Sequence, residues 1–348
     1  MTRVRRWLIS IALSLLLGAT TAVADLREDC QQRRDADLSI RACSELVQNS
    51  GSGSSKELAR IYSSRAGAYL SKLKVTHAIV DFSKSIELNP TALALSGRGE
   101  AYIYRREFDL ALADADSSIR HDSKFARAYY VRGLARDGKG QRDPAIADLT
   151  KAIELQPDFV AAYDRRGDCL RWGGQVDRAI ADFTKVIQMN PRALNAYFDR
   201  GYLRAAKGDV DGAIADYSEV IAGDTDASAS VLRRLREGLQ KGAYTNRGKA
   251  YQAKGDFKRA IEDFTVAIAD DAHPSHFVNR AEAYEKSGDA GRAIEDYTSA
   301  IDRDPTSAEA YYRRGTAYAS VGRQEVAKAD HRKAAELDPL IERRSDDW

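Results

Sequence analysis

The chain has 348 residues, 43% of them hydrophobic and 30% charged, enough for one large core, two domains or an extended array. Lysine and arginine number 54 and aspartate and glutamate 52, a net charge of +2. So small a surplus excludes the basic field that holds nucleic acid or an anionic membrane.

Residues 1–24 read as a secretory leader. Arg3, Arg5 and Arg6 give a positive start, Trp7 to Gly18 form an apolar run too short for a membrane span, and Ala22-Val23-Ala24 supply small residues before a cut at Asp25. Arg5-Arg6 matches a twin-arginine signal only in that pair, and no cysteine follows the cut to carry a lipid. An uncleaved anchor is the alternative. Losing three arginines lowers the basic residues from 54 to 51 against 52 acids, so the mature chain is near neutral. Export places it in an envelope compartment, expected to be a periplasm.

Residues 25–57 hold two short apolar-periodic stretches, DLREDCQQ and DLSIRACSELVQ, expected to form an antiparallel helical hairpin. The hairpin brings Cys30 toward Cys43, and in an oxidising compartment the two are expected to form a disulfide. Two separate buried thiols are the alternative. The third cysteine, Cys169, is expected to be a small buried packing residue rather than a nucleophile.

From residue 58 to 339 the chain repeats itself. A small residue preceded by arginine recurs at Ala66, Gly99, Gly133, Gly167, Gly201, Gly248, Ala281 and Gly315, with spacings of 33, 34, 34, 34, 47, 33 and 34. Four residues before this anchor stands an aromatic residue in seven copies, Leu95 being the exception. Twelve after it stands alanine in all eight, from Ala78 to Ala327. Sixteen after it the residue is mostly large and apolar (Phe82, Leu149, Phe183, Tyr217, Phe264, Tyr297), and twenty-four after it proline recurs, as at Pro90 and Pro157.

These columns resemble the tetratricopeptide repeat over residues 60 to 339. The resemblance implies an all-α, right-handed superhelical solenoid of about eight helix-turn-helix repeats. The residues support that fold on their own account. Gly140 suits a helix end and Pro144 the first turn of the next helix. The small anchor and the constant alanine let two helices approach, and one copy cannot bury its apolar faces without a neighbour. The usual turn glycine is replaced by Leu73 and Arg106 in the first two copies, which are therefore expected to be less regular.

Fifteen residues after every anchor stands aspartate, so that eight first-helix arginines face eight second-helix aspartates. Arg132 with Asp148, Arg166 with Asp182 and Arg200 with Asp216 are expected to be structural ion pairs, each made within a copy or with an adjacent one. A charged track for a ligand is the alternative. The triplet Arg166-Gly167-Asp168, which on an exposed loop would be an adhesion signal, is then two structural residues and one variable position inside a helix.

In this family the concave face is lined by first helices. The resemblance places its variable positions three before, one after and four after the anchor, and these include Tyr130, Asp164, Asp168, Arg171, Phe198, Tyr202 and Lys249, with Trp172 beside them. Aromatics among charges of both signs suit a protein or peptide partner; a solvated face without a ligand is the alternative. The subfamily that grips the acidic tails of heat-shock chaperones pairs lysine three before the anchor with asparagine one after it, and no copy here has that pair.

Thirteen extra residues between copies five and six, around 226–241, carry Val231, Leu232, Leu235 and Leu239 at helical spacing. They are expected to lengthen the next first helix, as a partner surface or a strut. The tail 340–348 is too short for a capping helix. The last copy is therefore expected either to expose apolar surface for self-association or to be covered by Leu340, Ile341 and Trp348. No phosphate loop, zinc spacing or nucleophile elbow occurs, and His273-Pro274-Ser275-His276 lacks a third ligand, so neither enzyme, metal nor cofactor is expected. The sequence thus points to an exported binding scaffold, with an accessory subunit docking on a cell-wall or secretion enzyme through the insert or the C-terminal end as the other reading.

Overall fold

The computed structural model describes residues 24–32, 34–49, 54–223, 230–270 and 272–342, with the backbone alone for 230–236 and 270. The expectations for the leader before Ala24 and for Trp348 lie outside the described residues. Within them the chain is all-α, with eighteen helices and no strand. They fall into two compact units, one ending at Gln175 and one starting at Val176.

The first unit holds a hairpin, α1 (24–31) and α2 (Ala36–Gln48), and then antiparallel pairs: α3 (Ser55–Ser71) with α4 (Val75–Leu88), α5 (Ala92–Tyr104) with α6 (Phe108–His121), and α7 (Ala126–Gly138) with α8 (Arg142–Leu155). It ends with α9 (Val160–Trp172), the first helix of copy four. The second unit opens with α10 (Val176–Met189), the second helix of that copy. It continues with α11 (Leu194–Ala206) and α12 (Val210–Ala222), α13 (Ser230–Ala253) and α14 (Phe257–Asp270), α15 (Pro274–Lys286) and α16 (Ala290–Arg303), and α17 (Ala308–Ser320) and α18 (Gln324–Leu337).

Each first helix ends in the same turn. The N–H two residues past the cap reaches back to a carbonyl five residues earlier, as in Gln141 to Arg136 at 2.9 Å. That closure needs one residue in the left-handed region, supplied by Gly140, Gly174, Gly208, Gly255, Gly288 and Gly322 at φ between 72° and 88°. The expectation of irregular turns in the first two copies is overturned. Leu73 at φ 56° and Arg106 at φ 61° adopt the same conformation and close the same bond, Lys74 to Tyr69 and Glu107 to Tyr102, both at 2.9 Å. The hydrogen bonds and packing on either side impose the turn, and the side chain bears a conformational cost of about 1–2 kcal/mol.

Packing follows the repeat columns. The constant alanine is buried in every copy, and so are Phe82, Leu149, Phe183, Tyr217, Phe264 and Tyr297. The anchor must be small because the paired helix lies against it. A Cβ on Gly133 would come within 2.9 Å of Leu149 and 3.3 Å of the Ala145 carbonyl oxygen. Filling large apolar side chains into the gaps between pairs is worth about 1.5–3 kcal/mol each, and the stack builds its core from such increments.

The N-terminal hairpin is stapled by a disulfide between Cys30 and Cys43, whose Cα atoms lie 4.7 Å apart. The Ser39 hydroxyl donates to the Cys30 carbonyl at 2.7 Å, and the two cysteines, Leu46 and Ile61 of α3 form one buried cluster. At the other end Ile341 folds back and is buried, while Leu340 stays exposed. The outer side of α18 carries Lys328, Arg332, Lys333 and Glu336, all exposed, so the described end of the array is mainly polar. The insert lengthens α13 to 24 residues, against 13 in α11. Leu239 packs against the cluster of Ala213 and Tyr217. The side chains of Val231, Leu232 and Leu235 lie outside the described residues.

Candidate functional site

The first helices divide into two faces with different duties. The repeated arginine belongs to the packed one. Arg132 donates from Nε and Nη2 to the two carboxylate oxygens of Asp148, at 3.0 and 2.7 Å, and Arg200 holds Asp216 the same way at 2.9 and 2.6 Å. Arg65–Asp81, Arg98–Asp114, Arg247–Asp263, Arg280–Asp296 and Arg314–Asp330 repeat this two-pronged geometry. Each pair lies within its own copy. The aspartates are buried, and the hydrogen bond to Asp148, followed by one to Asp116, raises the Arg132 guanidinium pKa. Arg166 and Asp182 fall in different units, and their pairing remains an expectation.

The third prong was not anticipated from sequence. The Nη1 of each arginine donates to the preceding pair: Arg65 to Ser44, Arg98 to Ser83, Arg132 to Asp116, Arg166 to Thr150, Arg200 to Thr184, Arg247 to Ser218, Arg280 to Thr265 and Arg314 to Thr298, all between 2.8 and 3.1 Å. Seventeen residues after seven anchors there is indeed a short acceptor, legible in the same alignment. In six copies the ring four residues before the anchor lies beneath the guanidinium, with Tyr129 5.4 Å from Arg132 and Tyr197 5.6 Å from Arg200. In seven of the arginines all three guanidinium nitrogens are thus engaged within the array.

The variable positions occupy the other face. In the first unit Asp164, Asp168, Arg171 and Trp172 share α9. Arg171 donates to Asp168 at 3.2 Å, Arg165 approaches the other Asp168 oxygen at 3.6 Å, and the Arg171 guanidinium lies 5.0 Å from the Trp172 ring, which is 68% exposed. Burial, and then the charge of Asp168, raise the Asp164 pKa above the ordinary carboxylate value. Tyr130 is half-buried against Phe159, ring centroids 4.9 Å apart, and burial raises its phenol. Gly167 is buried inside α9, so the Arg-Gly-Asp triplet is helical and its arginine is already hydrogen-bonded. Cys169 is buried beside it with a thiol pushed up to about 12 by burial, unsuited to nucleophilic work.

In the second unit Tyr202 is 53% exposed and Lys249 is exposed. Phe198 is placed differently. It meets Tyr217 edge-on at 5.7 Å and closes over Gly242, so it works chiefly as packing between α11, α12 and α13. Lys249 lines a cleft of about 940 Å³ with Thr245, Gln252, Asn279, Glu282 and Lys286. The His273 Nδ1 accepts from the Ser275 N–H and caps α15, and no cluster of three metal-ligating groups occurs among the described residues.

A second cleft, of about 730 Å³, lies in the first unit over α3 and α5 and includes Ser63, Gly67, Ser71, Leu93, Gly97 and Tyr104. Sequence reasoning did not point to it. Its signal is the run of small residues, Ser63 and Gly67, in columns that hold larger ones in later copies. A Cβ on Gly67 would meet nothing within 4 Å, so packing does not require that glycine.

Three family models described as tetratricopeptide or TPR repeats match the chain, one at residues 171–229, one at 281–322 and one at 126–159, 242–269 and 308–339. The comparison with curated proteins returns no match. Among solved structures, pilF of Pseudomonas aeruginosa has a TM-score of 0.53 at 16% identity, over 62% of this chain and 93% of that one. MamA protein has 0.46 at 24% identity, over 53% and 94%. YrrB, described as a TPR protein with an unusual peptide-binding site, has 0.40 at 22% identity, over 57% and 98%. The likeness to pilF speaks for the helical-repeat fold.

Proposed function

The chain belongs to the tetratricopeptide repeat family, and on that premise we propose that it is an exported scaffold that binds a protein or peptide partner on the variable faces of its first helices. One observation carries the reading. The repeated residues are consumed by the core and the ladder, whereas several side chains among or beside the positions that differ from copy to copy, Trp172 and Tyr202 among them, stay open to solvent. A surface of rigid aromatics and charges on a fixed helical frame suits a partner held by a few anchors. Tyr130, Asp164, Asp168, Arg171, Trp172, Tyr202 and Lys249 are the proposed contacts, with Phe198 packed on Tyr217 instead.

The location rests on two supports. The basic and apolar start with Ala22-Val23-Ala24 has the form of a secretory leader, and the Cys30–Cys43 disulfide fits an oxidising compartment such as a periplasm. No helix among the described residues is long and apolar enough to cross a membrane. A binding scaffold accounts for the exposed residues without catalysis, and no acid, base or nucleophile is needed for it.

Crosslinking and pull-down from the native envelope test the proposal. A partner recovered with the intact chain and lost with Trp172→Ala or Tyr202→Ala, at unchanged melting temperature, is the expected result. No recoverable partner, or one indifferent to both changes, would sink it. The length of α13 favours one second reading, an accessory subunit docking through the insert. Since Leu239 and Gln240 are held by the array, the clean test removes residues 226–236 only. Loss of the partner there, with Trp172→Ala silent, favours the accessory role.

A further inference from the structure

The first helix of the N-terminal hairpin is fastened differently from the helices of the array. The described part of α1, 24–31, falls short of the length at which an isolated helix holds itself in water, about 12–15 residues. Among its side chains Cys30 alone is fully buried, and it is bonded to Cys43 of α2. Leu26 packs half-buried on the cluster of Cys43, Leu46 and Ile61, and the Ser39 hydroxyl donates to the Cys30 carbonyl at 2.7 Å. Arg27 pairs with Glu57 at 2.6 Å at the surface, where an ion pair adds little. The second helix, α2, has ties of its own to α3. Lys72 holds Asp37, Arg65 donates to Ser44 at 3.1 Å, and Ala42 and Leu46 are buried in one cluster with Ile61.

The end of α1 also stands between two openings. Cys30 and Gln31 line the cleft of about 730 Å³ over α3 and α5, and they line a smaller one of about 350 Å³ bounded by Leu46 and Ile61. Cys30 is thus shielded from bulk water but borders open space on two sides. We propose that the Cys30–Cys43 bridge is a redox-sensitive latch on this surface. Oxidised, it holds α1 as the partition between the two clefts. Reduced, it releases α1 while α2 stays, and the clefts join into one trough in which Leu46 and Ile61 are uncovered. The reductant is a dithiol. One of its thiolates attacks the Cys30 sulfur, the S–S bond breaks, and the electron pair leaves on the Cys43 sulfur, which takes up a proton. The second thiol of the reductant then displaces Cys30 from the mixed disulfide, and Cys30 is protonated in turn. Two electrons and two protons pass to the protein, and the reductant ends as its own disulfide. The latch goes beyond the scaffold reading, whose contacts lie on α7, α9, α11 and α13, so its failure would leave that reading intact.

Amide exchange and hydroxyl-radical footprinting test it on the full chain in three states: oxidised, reduced with dithiothreitol without denaturant, and reoxidised. Reduction is expected to proceed in the folded chain and to quicken exchange over 24–31 by about tenfold or more. Leu46 and Ile61 should then react with the radical while Tyr297, buried in the second unit, stays protected. Reoxidation should restore the first pattern. Cys30→Ser with Cys43→Ser should show the released pattern at every redox poise. If that variant does not fold, the cycle of reduction and reoxidation in the parent decides alone. A bridge that dithiothreitol reduces only in denaturant, or an α1 equally protected after reduction, overturns the latch. Exchange that rises alike from α3 to α8 also overturns it, because the bridge would then be a staple of the whole unit.

Discussion

The two ends of the array face the same problem and solve it differently. Each arginine of the ladder reaches back to an acceptor on the preceding pair. At the N-terminal end α2 stands where the second helix of an earlier copy would stand, and Ser44 receives Arg65 as Ser83 receives Arg98. The hairpin is thus a reduced repeat whose short helices are held by a disulfide instead of by a larger core. At the C-terminal end the last acceptor position, seventeen residues after Gly315, is occupied by Arg332. A cation there offers nothing to a further arginine and repels one. One end is finished by supplying an acceptor, the other by removing it. The ladder has a direction, from the acceptor at Ser44 to the arginine at Arg314.

The largest effect on that comparison should come from the ladder itself. Arg65→Leu leaves Asp81 buried without its bidentate partner, a change expected to cost about 3–5 kcal/mol, read as a fall in denaturant midpoint. Arg314→Leu should cost as much in the other end copy. A near-zero cost at either end would mean that the ladder is ornament to the apolar stack.

Next comes the staple. Cys30→Ser with Cys43→Ser, or reduction of the native chain, should lower stability by about 3 kcal/mol in the chain-entropy picture of a short closed loop. Thermal unfolding with and without reductant measures it. If the hairpin acts as a terminal repeat, amide exchange in α3 should quicken while α17 is unaffected. Uniform acceleration throughout both units would contradict that local role.

Smaller effects separate turns and ends. Leu73→Gly relieves a left-handed side chain and should raise stability by about 1 kcal/mol, whereas Gly140→Leu at the matching turn should lower it by about that amount or more. Arg332→Thr places an acceptor beyond the last ladder arginine, Arg314, and should leave the melting temperature of the monomer within error. New concentration-dependent association of that variant, seen by sedimentation, would show that Arg332 alone had been preventing growth from this end.

The repeat was legible because its columns are enforced by steric contact. An anchor pressed against Leu149 has to be glycine, and a buried alanine has to stay alanine, so both recur. The arginine and aspartate columns were visible for the same reason, although their choice of partner within the copy was not. The acceptor column escaped notice because serine, threonine and aspartate all serve, which blurs a pattern read as identities. The candidate contacts were less legible. Phe198 and Tyr202 are four apart and looked alike, yet one packs on Tyr217 and the other faces water. The clefts were hidden altogether, since an opening is made by what neighbouring helices fail to fill.

The sequence alone determined the period, the helical pairs, the small-residue contacts and the ladder's composition, because each recurs wherever one copy meets the next. The tertiary structure alone decided that Leu73 and Arg106 take the glycine conformation and that Ser44 continues the ladder into the hairpin. Those outcomes depend on packing between segments tens of residues apart, and residue spacing within one copy carries no record of it.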